Sequence, residues 1–467
     1  MPYEGELASK VAHSDMLKNP EIQDFLAGCE YLRIPSEEEG QALADRFRVA
    51  PTTDNMAFPD NIIAVDGSRY ESAIHDQLPS TRVGYVKVSA MLILMSAFQS
   101  LRVMNGRFVD PFRVARLQDS NTALTFPVPS ANIRWRGNAS VRDSFRAAVD
   151  AQLYSKSKRI DPNDPSTSLR TTLFHLASRR RGELGTGDPS RLLLHACPTC
   201  GREHIELLDQ PAVQHCPACG SEVFPADCLR IWELVAENQS NVAALTRFMS
   251  LVEHLLIIHY IRYLADASLP VLARTAFFLD DPLAIFGNAA WMHASIMRFL
   301  DETNRKLSAR GFPNVLLIGL QKTGQVVDHV ALIDKYIPPD RIFAIDDEYR
   351  YEYILSMREP ASQGFGYEIY YGQDFIYKTP SGRTFVCAVP YPFATKRPPG
   401  IDFIQAKADI ANYPDLPRVL ALIRHFESDL YANAVVPIAL AHKYTAISLV
   451  PGGQALDILT RKALNGP

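Results

Sequence analysis

The sequence has little net charge, few cysteines and no long apolar run. A formal net charge of −4 over 467 residues excludes a histone-like polycation, though a local basic groove for nucleic acid remains compatible with it. No stretch reaches the roughly 18 consecutive apolar residues of a spanning helix, so no membrane partner is expected. The opening "MPYEGELASK" has no charged segment followed by an apolar one, so a cytoplasmic location is expected. There is no internal repeat. Neither Gly-x-x-x-x-Gly-Lys-Ser/Thr nor Gly-x-Gly-x-x-Gly occurs, which removes the support for a nucleotide-binding enzyme. Hydrophobic residues make up 47% and charged residues 21%, the ordinary globular range, so a sizeable core can form. The length suits two or three domains, or one large domain with an insert.

The seven cysteines are unevenly placed. Cys29, Cys228 and Cys387 are scattered, whereas Cys197, Cys200, Cys216 and Cys219 form two tight pairs. An odd count with tight pairing points to a metal site in a reducing compartment and not to a disulfide framework. "CPTC" and "CPAC" stand fifteen residues apart, each followed by glycine. Glycine supplies the tight turn that aims two thiolates at one ion. Four thiolates make a closed tetrahedral Zn²⁺ site with bonds of roughly 2.3 Å and no open position, hence a structural role. Cys228 is either a spare ligand or a buried thiol.

Apolar runs and turn signals mark the elements. "NIIAVDGSRYES" opens as a buried strand that ends at Asp66, where Gly67 permits a sharp turn. Arg82 to Leu94 reads as a second strand. Residues 154–190 are polar and rich in Pro, Gly, Ser and Arg, which predicts a loop or mobile linker around a short helix near Leu173 to Leu176. A long helical pattern covers Ile231 to Leu264. "TAFFL", "NVLLIGLQKT" and "RIFAID" read as strands, with a helix ending at Gly311 between the first two. "DFIYKTPSGRTFVCAVP" reads as a hairpin turning at Pro380-Ser381-Gly382. Helices near Leu416 to Tyr431 and Pro437 to Leu449 close the chain. The pattern predicts a layered α/β domain around a mixed sheet.

Acids recur at apolar strand ends. Asp66 follows one, and Asp280 and Asp281 follow Ala276 to Leu279. Two carboxylates side by side repel unless a cation sits between them, and hard oxygen ligands select Mg²⁺ or Mn²⁺. Glu253 falls on an apolar helix face with Met249, Leu256, Ile257 and Tyr260. There it needs either a metal, a proton or a core-facing arginine such as Arg247 or Arg262. His442, with Ile438, Ala439 and Ala446 around it, is expected to face inward. Lys322 ends another strand and is placed either to bind a phosphate or to sit at a surface junction. Lys156, Lys158, Arg159 and Arg179 to Arg181 either line a nucleic-acid path or form a solvated loop.

"AVDGSR", the Glu253 helix, "FFLDDPL", "LIGLQKTG" and "ALAHKYTAIS" occur in an order that resembles the NurA nuclease family over most of residues 60–450. The resemblance implies an RNase H-like fold: a mixed sheet flanked by helices, with the zinc ribbon inserted. It divides the chain into 1–190 and 230–467, two parts of one nuclease domain, around a ribbon at 191–229. It implies Mn²⁺- or Mg²⁺-dependent DNA cleavage, a homodimer, and a hexameric HerA-type ATPase as partner. Asp66, Glu253, Asp280 and His442 match the family's metal ligands, and Lys322 matches a basic residue after the middle strand. Asp281 stands where the family commonly has glycine. Three other readings are a nuclease-like subunit that clamps DNA or a motor ATPase without cutting, a transposase, and an RNA-cleaving enzyme of the same fold.

Overall fold

The computed structural model describes residues 14–29, 34–99, 102–103, 108–109, 123–355, 363–428, 434–447 and 452–465. Among these, nine strands form one mixed sheet. They are β1 (Arg48–Val49), β2 (Asn61–Ala73), β3 (Arg82–Leu94), β4 (Ala123–Pro129), β5 (Thr275–Leu279), β6 (Leu316–Gln321), β7 (Arg341–Ala344), β8 (Gly372–Lys378) and β9 (Thr384–Pro390). The order across the sheet is β1-β7-β8-β9-β6-β5-β2-β3-β4. β3 runs antiparallel to its neighbours β2 and β4, and β5 and β6 run parallel to β2. Three antiparallel strands followed by two parallel ones on the other side of the first is the RNase H-like arrangement that the resemblance implies. The strands lie on both sides of the cysteine block in sequence, so that block interrupts the sheet-forming chain.

The alternation of side chains along β2 explains the two layers. Ile62 and Ala64 join one apolar cluster with Met91, Phe278, Ile318 and Ile438. Ile63 and Val65 join another with Val88, Phe277, Leu317 and Leu256. The second cluster is covered by the Val242–Ala267 helix. That helix is long and apolar enough to cross a membrane by composition, but most of it is buried inside the fold. The first cluster is covered by the Leu416–Phe426 and Val436–Thr445 helices.

Several expectations need correction. The helix expected from Ile231 starts at Val242, because Ile231–Leu234 is a short 3-10 turn. β2 does not end at Asp66 but continues to Ala73, paired with β3 throughout. Gly67 therefore makes no turn. Residues 154–190 are no mobile linker. Their helix, Leu169–Ala177, is capped by Ser168 and buries Leu169, Leu173, Phe174 and Leu176 completely. Arg170 is buried there because Asp150 and Asp209 each bind its guanidinium at 3.1 Å. The 380–382 hairpin turn is present, with Gly382 at φ 89°.

Candidate metal centres

The two Cys-x-x-Cys knuckles fold identically. Cys197 N–H donates to Arg202 O and Gly201 N–H to Cys197 O, while Cys216 N–H donates to Ser221 O and Gly220 N–H to Cys216 O. Gly201 and Gly220 sit at φ 74° and 71°, where a side chain would be strained. The knuckles bring all four sulfurs together. Cys197 Sγ and Cys219 Sγ are 3.8 Å apart, and Cys200 Sγ and Cys216 Sγ are 3.7 Å apart. A tetrahedron of thiolates on bonds of ~2.3 Å has edges of ~3.8 Å, so the donor set fits one tetrahedral ion. Cys228 lies outside this cage as a buried thiol, and burial pushes its pKa up to about 12. The hairpin Arg191–Ala196/Glu203–Leu208 that carries the first knuckle packs Leu192, Leu194, Ile205 and Leu207 into the core shared with the long helix.

The second centre forms where β5 stops. β5 pairs with β2 only as far as Leu279 and Val65, and Asp280 N–H adds a last bond to Val65 O at 3.2 Å. Beyond that point β2 has no strand partner on its β5 side among the described residues, and Asp66 stands at this step. Asp66, Asp280 and His442 each offer a ligand atom, all within 4.8 Å of one another. His442 Nδ1 lies 3.0 Å from Asp66 Oδ2, and Thr445 Oγ1 donates to the same oxygen at 2.8 Å. Lys322 Nζ, one residue past β6, donates to Asp280 Oδ2 at 2.5 Å.

His442 does not face inward as its apolar neighbours suggest. Its side chain is 55% exposed. The Val436–Thr445 helix ends before Ala446, so His442 lies in the last turn and looks out over Asp66. That position beside a helix C-terminus and a carboxylate favours the imidazolium, and its pKa is raised. Thr445 carries no motif of its own in the sequence. Its one signal is the i+3 spacing from His442.

Glu253 approaches from the long helix and sits against Gly67. Neither arginine candidate reaches it: Arg262 donates to Thr172 and to Ser166 O, and Arg247 lies beside Gly287. Burial, together with Asp281, Asp66 and Asp280, pushes the Glu253 pKa well above the usual carboxylate range. Its carboxylate is outside the 4.8 Å group. Asp280 and Asp281 are each raised to about 7, by burial first and by neighbouring charges after it. Asp66 is held low despite burial, by the His442 and Thr445 hydrogen bonds. An oxygen-rich cluster that holds protons, a histidine and a lysine against its own charge has the donor chemistry of a divalent-cation site.

Gly67 is required by packing and not by backbone turn. A Cβ there would meet Glu253 Oε1 at 2.5 Å and Met249 Cγ at 2.8 Å. Gly67→Ala is expected to push Glu253 off the strand, with a loss of about 1–3 kcal/mol of stability from overpacking. Chemical denaturation checks this, and wild-type stability of the variant would refute the close approach.

The basic residues do not form one path. Lys156 and Arg159 line a cavity beside the Val141–Tyr154 helix, and Arg180 and Arg181 line a different one. Lys158 lies over the Phe126 ring, and Arg179 is neutralised by Glu302 at 2.8 Å.

No curated protein matches the chain. A solved structure titled "Crystal structure of NurA" aligns with 98% of this chain and 99% of its own, at 10% identity and a TM-score of 0.26, a likeness too weak to bear on the fold. The model of the NurA domain matches residues 60–447. That span holds both centres and every strand of the sheet after β1, and on it the chain belongs to the NurA family of nucleases.

Proposed function

We propose that the chain is a divalent-metal-dependent deoxyribonuclease that hydrolyses phosphodiester bonds at the Asp66–Asp280–His442 cluster. The observation that carries this reading is the convergence of the Asp66 and Asp280 carboxylates and His442 within 4.8 Å. Mn²⁺ or Mg²⁺ bound there supplies charge neutralisation at the scissile phosphate and acidifies a water. Asp66, Asp280 and His442 would hold the cation, and Glu253, raised in pKa beside them, would add a further carboxylate. Lys322, which donates to Asp280 Oδ2, would bring a positive charge to a phosphate at the site. Thr445 fixes the Asp66 rotamer through its 2.8 Å hydrogen bond. The four-cysteine cage holds Zn²⁺ as a structural ion, since its closed donor set leaves no position for substrate.

The family resemblance supports the finer reading. The protein acts in the cytoplasm as a homodimer, processing DNA ends beside a HerA-type hexameric ATPase, in repair or in defence against foreign DNA. The alternative is a subunit of the same fold that binds DNA or the ATPase without cutting it, and the extra acid Asp281 keeps it in view. Incubating linear DNA and RNA of one sequence with the zinc-loaded protein, with Mn²⁺ and with EDTA, separates the two. Cleavage of DNA only with Mn²⁺ is expected, whereas binding without cleavage in any metal would favour the alternative.

A further inference from the structure

A second charged feature lies apart from the acids. A cavity of about 320 Å³ is lined by Arg180, Arg181, Lys396 and Arg397, with Glu368 the acid among its lining residues. The lining carries a formal excess of three positive charges. Lys396 is only 4% exposed. Its Nζ donates to Gly366 O at 3.0 Å and to Tyr367 O, and no carboxylate of a described residue pairs with it. Beyond these two carbonyls the ammonium faces only the Tyr367 and Tyr391 rings, 5.5 and 5.7 Å away, among the described residues. Arg180 lies over the Trp291 ring at 4.4 Å, and Arg397 Nε donates to Tyr367 Oη at 2.8 Å. Neither has an ion-pair partner among the described residues. Burial, then Lys407 and Arg181, pull the Lys396 pKa down to about 7 against the opposing pull of Glu368.

Buried cations without counter-charges are unfavourable unless an anion completes them. Two exposed guanidiniums that can fork onto oxygens, beside a lysine acting as a point charge, suit a phosphate group better than a carboxylate-sized ligand. The cavity is also tethered to the acidic cluster. Ala284 bridges to Tyr370, Ile285 N–H donates to Ile369 O, and Tyr371 N–H donates to Leu283 O. Four residues from Asp280 to Ala284, one bridge, and three residues from Tyr370 to Tyr367 span at most ~30 Å. That is within about one turn of a DNA duplex.

We infer that the Arg180–Arg181–Lys396–Arg397 cavity binds a phosphate group of the nucleic-acid strand away from the reacting centre, and so grips the substrate. The ligand's identity rests on the nuclease reading, while the anion chemistry of the cavity does not. The test uses the full-length, zinc-loaded chain and the double variant R181E/R397E, both positions being exposed. Fluorescence anisotropy of a short duplex in Ca²⁺ is measured across salt concentrations. The variant is expected to bind at least tenfold more weakly, with a log K versus log salt slope shallower by about two. Lys396→Met, which keeps the aliphatic stem, is expected to weaken binding in the same direction. Equal affinity and slope in the variants, with unchanged melting, would overturn the inference. Inorganic phosphate and ATP form the second arm. A melting shift with either in the wild type, lost in R181E/R397E while DNA affinity is unchanged, would assign the cavity to a free phosphate and overturn the strand contact. Wild-type failure to cut DNA in Mn²⁺, with the variant still losing phosphate-dependent binding, would remove the nuclease reading and leave the cavity.

Discussion

Asp66→Ala is expected to lower Mn²⁺-dependent cleavage of linear DNA by roughly a thousandfold or more while leaving the protein folded. The magnitude follows from the proposed role. A carboxylate that holds the cation contributes several kcal/mol of transition-state stabilisation, and each ~1.4 kcal/mol is tenfold in rate. The fold survives because alanine fits the strand, and β2 is paired with β3 on both sides of position 66. Removing the carboxylate also relieves the charge it presses onto Asp280 and Glu253. Metal-free Asp66→Ala should therefore melt within a few degrees of the wild type. Mn²⁺ should stabilise the wild type and not the variant. Retained cleavage, or unfolding without metal, would each reject Asp66 as a metal ligand.

The second large effect is expected from the cysteine cage. Structural zinc sites contribute apparent free energies of about 10–16 kcal/mol, comparable with the whole net stability of a folded domain. The cage is not an appendage here. Cys197 and Cys216 lie in the same apolar cluster as Leu251, Val252 and Leu255 of the helix that bears Glu253. Arg146 adds a buried pair with Asp227 at 2.7 Å and donates to Glu222 O. Cys216→Ser, or a strong chelator, is expected to release one zinc per chain and expose residues 191–229 to protease. It should also lower the melting temperature by many degrees and weaken nuclease activity indirectly. Cys29→Ser, at an exposed thiol, should change none of these. Metal analysis beside calorimetry decides it: a zinc-free protein that melts like the wild type would make the cage dispensable.

The parts of this structure that are legible in the sequence are those set by short-range spacing. Cys197 with Cys200 and Cys216 with Cys219 announce a cage because three residues and a glycine suffice to build each knuckle. β5 and β6 announce themselves as apolar runs because both of their faces are buried. What is not legible depends on partners far along the chain. Gly67 reads as a turn, yet Gly67 to Ala73 continues as strand. Glu71 there is satisfied by Ser130, Ser240 and Asn241, and Tyr70 and Ser72 by Asp457. Residues 154–190 look mobile because they are polar and rich in Pro, Gly, Ser and Arg, yet Arg170 is made a core residue by Asp150, Asp209 and Gln210 O. His442 looks inward-facing because a continued helix would set Ala446 beside it, but the helix stops first. The first two misses share a cause: a polar group whose compensation comes from another part of the sequence.

If the step between β2 and β5 collects acids around a divalent cation, a crystal soaked in Mn²⁺ should show anomalous manganese peaks bounded by the Asp66 and Asp280 carboxylates, with His442 at the edge. Peaks elsewhere with none beside Asp66, at full occupancy of the cysteine cage, would contradict it.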